Sequence, residues 1–154
     1  LPVLWILIPL ICLFLIKFQF ENGKSLLTFL IILVWINDVS AFLVGKSIGS
    51  LKLSHISPQK TIEGVIGSFV FCLLLGPCLI TFFKIDLNFN QFLLCFLISM
   101  ASNFGDLLES LIKRKFDQKD SGQILMSHGG ILDRIDSLLI SSPLFYFILK
   151  QYLN

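Results

Sequence analysis

The stretch LLTFLIILVWINDVSAFLVG, residues 26–45, holds a single ionisable residue, Asp38, in twenty positions. Crossing the hydrocarbon core of a bilayer takes about 20 apolar residues of helix. Lipid offers no water to a bare backbone, so only helices and closed barrels can span it. No apolar/polar alternation of period 2 runs through the segment, which removes the barrel strand. Four further segments read in the same way: residues 1–16, 64–83, 92–112 and 131–149. The expected fold is therefore all-α, a polytopic integral membrane protein of about five transmembrane helices. With no internal repeat and no low-complexity tract, a single membrane-embedded domain over residues 1–154 is the simplest division.

Composition agrees. The 154 residues are 55% hydrophobic and 14% charged, with sixteen Phe and a mean hydropathy of +0.87. A soluble domain carries roughly 25% charged residues, and one this apolar would expose large hydrophobic patches. Disorder is excluded for the same reason. A net charge of +2 is too small to argue for a nucleic-acid partner. Cys12, Cys72, Cys78 and Cys95 all fall in apolar runs without a CxxC pair, so they read as packing residues rather than a zinc site. The opening run LPVLWILIPLICLFLI has no basic stretch before it and no small-residue cleavage site after it, which argues against a signal peptide.

Basic residues set the orientation. The connections 46–63 and 113–130 lie two crossings apart and so share a face. With Arg134 just inside the fifth helix, that face holds eight Lys/Arg: Lys46, Lys52, Lys60, Lys113, Arg114, Lys115, Lys119 and Arg134. The other face holds four: Lys17, Lys24, Lys84 and Lys150. The positive-inside rule puts both long loops in the cytoplasm, so a bacterial-type inner (plasma) membrane with a cytoplasm-facing site is expected.

Ionisable groups inside a span cost at least about 2.5–3.5 kcal/mol each on insertion scales. This chain nonetheless places Asp38, Asp106, Glu109, Asp133 and Asp136 in or beside helices two, four and five, all near the same face. In NFGDLLESLIKRK, Asp106, Glu109 and Lys113 stand at i, i+3 and i+7, on one inward stripe. In ILDRIDSLL, Asp133 and Asp136 share a face at a helix N-terminus, where the helix dipole favours carboxylates. Two acid-bearing helix ends meeting at a cavity suit a hard cation, since Mg²⁺ takes one or two carboxylates plus substrate phosphate oxygens. Two alternatives are hydrated acids just beyond the apolar core, and a salt-bridge network with Lys113, Arg114 and Arg134.

The loops suit a phosphate-rich ligand. KSIGSLKLSHISPQKTIEG combines Lys46, Lys52 and Lys60 with Ser57 and Thr61, and Thr61 is placed to cap the third helix and make its N-terminus an anion site. SHGGILDR sets His128, Gly129 and Gly130 before the fifth helix, where glycines let backbone N–H groups approach a ligand. Neither a GxxxxGK[ST] loop nor a GxSxG elbow occurs.

Taken together, these segments resemble CDP-diacylglycerol synthase, the phosphatidate cytidylyltransferase family. The resemblance rests on SLIKRKFDQKDSGQILMSHGGILDRIDS, residues 110–137. The family positions there are Ser110, Lys113, Arg114, Lys119, Asp120, His128, Gly129, Gly130, Asp133, Arg134 and Asp136. The GDLxES stretch from Gly105, the SPxKTxEG stretch from Ser57 and the Asp38-containing helix match as well. Departures are Met126 and Ser127 where the family has Pro-Gly, Gln59 where Lys is usual, and Lys46 where Arg is common. Longer members also carry additional N-terminal helices.

The resemblance implies that CTP and phosphatidic acid give CDP-diacylglycerol and pyrophosphate. Asp106 and Asp133 would hold metal, with Mg²⁺ as the divalent ion and K⁺ as a candidate second cation. Asp136 and Glu109 would be further ligands or their supports. Lys113, Arg114 and Arg134 would neutralise phosphates. Asp38, Ser57, Lys60, Thr61, Glu63, Lys119, Asp120, His128, Gly129 and Gly130 would line the substrate site, and a homodimer is the family expectation. Two rivals are a CTP-dependent kinase of a polyprenol or similar lipid, and an ion-coupled transporter.

Overall fold

A computed structural model describes residues 2–53, 60–115 and 132–153. Five helices follow one another: α1 (Pro2–Gln19), α2 (Gly23–Ile48), α3 (Ile62–Phe82), α4 (Gln91–Lys115) and α5 (Leu132–Tyr152). Three stretches are long and apolar enough to cross a membrane, Gly23–Ile48, Ile62–Phe82 and Gln91–Ile112; the apolar part of α1, Ile6–Gln19, is shorter. The protein is an all-α, polytopic membrane protein, as the apolar runs require. Each helix extends past its apolar run at one end or both, because hydropathy marks what lipid covers, not where backbone hydrogen bonding stops.

The second helix, α2, is central and packs against α1, α3, α4 and α5. Its buried face, Leu26, Phe29, Leu30, Leu33 and Val34, meets Cys72 and Ile80 of α3, Leu94, Cys95 and Ile98 of α4, and Phe145 and Leu149 of α5. The rings of Phe29 and Phe145 stand 5.9 Å apart between centroids. On the opposite side of α2, Trp35 and Phe42 are each 64% exposed. A helix that is apolar on both its buried and its exposed faces is built for lipid rather than water.

Composition changes along the bundle axis. The apolar core occupies the end nearer the α1–α2 and α3–α4 connections. Further along, Asn37, Ser40, Ser68, Ser99, Ser102, Ser137 and Ser141 form a buried polar layer. Beyond it lie the acids of α4 and α5, at the end from which residues 49–61 and 116–131 connect the helices.

Helices α2 and α3 cross closely. A Cβ added to Gly64 would stand 2.6 Å from the Ala41 carbonyl oxygen and 3.3 Å from Gly45 Cα. Small residues at such crossings let membrane helices pack backbone to backbone. Because the obstruction is a backbone carbonyl, no rotamer change relieves it. Gly64→Ala should therefore separate α2 from α3 and lower stability by about 1–3 kcal/mol; the midpoint of SDS-induced unfolding in mixed micelles measures it.

Candidate active site

The turn between α2 and α3 is built by local rules. Thr61 caps α3, its hydroxyl accepting from Gly64 N at 3.1 Å, as the sequence placed it. Two backbone bonds, Leu53 N to Lys60 O at 2.8 Å and Ile62 N to Leu51 O at 3.0 Å, zip the flanks of the turn together. Glu63 completes the clasp. Its Oε1 accepts from Ser50 N at 3.1 Å, Ser50 Oγ at 2.6 Å and Leu51 N at 3.1 Å. A carboxylate in the first turn of α3 thus ties down the chain leaving α2. The family resemblance implies a substrate contact for Glu63; in the structure its carboxylate organises the turn.

That turn delivers Lys60 to α4, where its Nζ pairs with Asp106 Oδ2. Asp106 lies one helical turn from Glu109, and across from both stands Asp136 near the start of α5. One carboxylate oxygen from each of Asp106, Glu109 and Asp136 lies within 4.8 Å of the other two. Glu109 and Asp136 are buried, while the Asp106 side chain keeps 32% of its surface exposed. The inward stripe read from the spacing of Asp106 and Glu109 is what the fold presents, with Leu111 and Ile112 outside. Gly105 lets α4 approach α5 here, since a Cβ on it would stand 2.8 Å from the Asp136 carbonyl oxygen.

Around an octahedral Mg²⁺, adjacent ligands stand about 3 Å apart and opposite ones about 4 Å. Three hard carboxylate oxygens within 4.8 Å of one another can close on such an ion through side-chain rotation. Asp106, Glu109 and Asp136 are therefore the described residues that could hold a divalent cation.

Beneath the acids, hydrogen bonds join four helices. The Ser137 hydroxyl lies between Asp38 (3.1 and 3.2 Å to its two oxygens) and Asp136 Oδ1 at 3.3 Å. Asp136 Oδ1 also accepts from Ser137 N at 2.7 Å. Next to Asp38, Asn37 accepts at Oδ1 from Ser99 Oγ and from Asn103 Nδ2 at 3.2 Å, and donates from Nδ2 to Ser102 Oγ at 3.2 Å. Asn103 Nδ2 reaches Ser68 Oγ of α3 at 3.0 Å. The dipeptide Asn37-Asp38 therefore reaches α4 through Asn37 and α5 through Asp38.

Sequence reasoning named Asp38 but passed over Asn37, Asn103 and Ser137. The available signal was Ser99, Ser102, Asn103 and Asp106 at i, i+3, i+4 and i+7, a polar stripe inside an apolar run. Of the other expected site residues, Arg114 is exposed on the last turn of α4. The backbones of Lys113, Asp133 and Arg134 belong to α4 and α5, but their side chains lie outside the described residues, as do Ser57, Lys119, Asp120, His128, Gly129 and Gly130 altogether.

The family model described as the cytidylyltransferase family matches residues 1–152. The chain belongs to the cytidylyltransferase family. It is 44% identical over 135 residues to the phosphatidate cytidylyltransferase of Staphylococcus aureus (strain COL), covering 85% of this chain and 51% of that protein. Against the phosphatidate cytidylyltransferase of Bacillus subtilis (strain 168), identity is 42% over 134 residues, covering 86% and 50%. The chain spans about half the length of these relatives. In this member of the cytidylyltransferase family, the acids of α4 and α5 and the lysine of the α2–α3 turn come to one end of the bundle.

Asn37→Leu should remove partners from Ser99, Ser102 and Asn103 together. Interhelical hydrogen bonds in membranes average about 0.6 kcal/mol and reach about 1.7, so a loss of about 2–3 kcal/mol is expected from the set. Ser141, whose hydroxyl donates only within α5 to Ser137 O at 2.7 Å, is the control. Ser141→Ala, which removes one bond within a helix, should cost no more than about 1 kcal/mol. Paired SDS-unfolding curves for the two variants test the difference.

Proposed function

We propose that this chain carries the site at which phosphatidic acid attacks the α-phosphorus of CTP, giving CDP-diacylglycerol and releasing pyrophosphate. The observation that carries the reading is the meeting of Asp106, Glu109 and Asp136 with the Lys60 ammonium at one end of the bundle, in a family whose relatives above are named phosphatidate cytidylyltransferases. The basic connections at that end support a cytoplasmic site and, by analogy with the bacterial relatives, an inner membrane.

Phosphoryl and nucleotidyl transfer ask a protein for positioning and charge neutralisation more than for covalent help. Mg²⁺ is the proposed ion at the three carboxylates, with K⁺ as the second cation, and when bound it neutralises phosphate oxygens in transfer. The chain's own residues supply the remainder. Lys60 sits at the lip of the acids, next to the capped N-terminus of α3, where phosphate oxygens are favoured. Lys113, Arg114 and Arg134 join it in the proposal through the family signature, as does Asp133 as a further metal ligand. Asp38 and Ser137 hold Asp136 from below, so that its second oxygen can face the reacting groups. Both lipid tails stay in the bilayer while the headgroup reaches the acids, and a homodimer is the proposed assembly.

A turnover assay tests this. Purified protein in mixed micelles receives phosphatidic acid, Mg²⁺ and CTP labelled at either the α- or the γ-phosphorus. Lipid-borne α-label that requires all three components is the expected result, with Asp106→Asn lower by about a hundredfold or more. In parallel micelles that carry a polyprenol in place of phosphatidic acid, lipid-borne γ-label would mean a lipid kinase, and no transfer of either label in either set would overturn the reading.

A further inference from the structure

Asp106 is claimed twice. It contributes an oxygen to the three-carboxylate cluster, and its Oδ2 pairs with Lys60 Nζ. We propose that Lys60 is a built-in counter-ion that competes with a divalent cation for Asp106, and that cation binding passes its ammonium to the phosphate oxygens of the nucleotide. The inference rests on the cation-site reading of Asp106, Glu109 and Asp136 given above.

Three features of the structure support competition rather than a fixed bridge. The Lys60 backbone is pinned by its carbonyl bond from Leu53 N, by the neighbouring Ile62 N to Leu51 O bond and by the Thr61 cap. Its flexible four-carbon stem can therefore swing while the turn stays in place. The pair is only partly covered, with 25% of the lysine side chain and 32% of the aspartate side chain exposed, so the ammonium can leave without being stranded in an apolar medium. Its other available partner is close at hand, because the α3 N-terminus, which favours anions, begins two residues later. An ammonium is a compact point charge without the planar fork of arginine, which suits exchange between a carboxylate and a phosphate.

Two cations cannot share one carboxylate without repelling each other, so Lys60 holds down the affinity of the cluster for a divalent ion on its own. A nucleotide phosphate that draws Lys60 away restores that affinity. By linkage, the cation strengthens nucleotide binding by the same factor.

The test is a Mn²⁺ titration of the full chain in detergent micelles, followed by electron paramagnetic resonance of free Mn²⁺. Wild type is compared with Lys60→Met, Lys60→Gln, Lys60→Arg and Asp106→Asn, each checked for a single size-exclusion peak. Removing the charge should tighten the Mn²⁺ Kd about tenfold, within the usual range of coupling between sites. Both neutral variants should do so, and Lys60→Arg should stay within about twofold of wild type. After the Mn²⁺ taken up by CTP in protein-free micelles is subtracted, CTP should tighten Mn²⁺ binding in wild type and do so much less in Lys60→Met. A misfolded variant does not gain affinity, so structural damage cannot imitate this result. Unchanged or weaker Mn²⁺ binding in both neutral variants, with binding still lost in Asp106→Asn, overturns the counter-ion proposal alone. Equal Mn²⁺ binding by wild type and Asp106→Asn overturns the cation-site reading itself.

Discussion

Three carboxylates gathered at one end of a helix bundle repel one another, and whatever answers that repulsion governs the rest of the site. With oxygens of Asp106, Glu109 and Asp136 within 4.8 Å of one another, each ionised pair would repel by about 3.5 kcal/mol or more at an effective dielectric constant of about 20. Lys60 offsets part of this from outside the helices that carry the acids. Its position in turn depends on the clasp of Glu63 on Ser50 and Leu51, on the Thr61 cap, and on the close passage of Gly64 by Ala41 and Gly45. Charge balance on α4 and α5 is thus set by backbone geometry between α2 and α3.

The layer beneath the acids answers a different demand. These side chains are buried among the helices, and a buried amide or hydroxyl left without a partner is costly, so each bonds to another helix or to its own backbone. Asn37 meets this with three bonds to α4, and Asn103 carries the connection on to Ser68 of α3. Ser137 then links Asp38 to Asp136. The layer supports the acids from below and holds the helices that bear them.

The helices were legible as apolar runs, and those of α2, α3 and α4 are about as long as a bilayer is thick. The Asp106 and Glu109 stripe was legible because helical spacing is fixed, and the Thr61 cap because Thr before a helix is a local signal. What depends on distant pairing was not. Lys60 could be read as a phosphate ligand, but nothing local to either residue announces its bond to Asp106. Glu63 stands in a conspicuous signature, but its bonds to Ser50 and Leu51 could not be read, because those partners lie in unremarkable sequence. Asn37 was masked by its neighbour, since an Asp in a membrane span draws attention that an Asn does not.

Apolar helix faces slide past one another with little change in energy, because one leucine against lipid or helix resembles the next. Moving α2 by one residue relative to α4 is a screw displacement of about 1.5 Å and 100°. Such a step would carry Asn37 away from Ser99, Ser102 and Asn103 at once, and Asp38 away from Ser137. The polar layer therefore acts as a vernier on the bundle. It lifts the degeneracy that lipid-matched packing leaves behind and selects the one alignment in which the acids of α4 and α5 face the turn that bears Lys60.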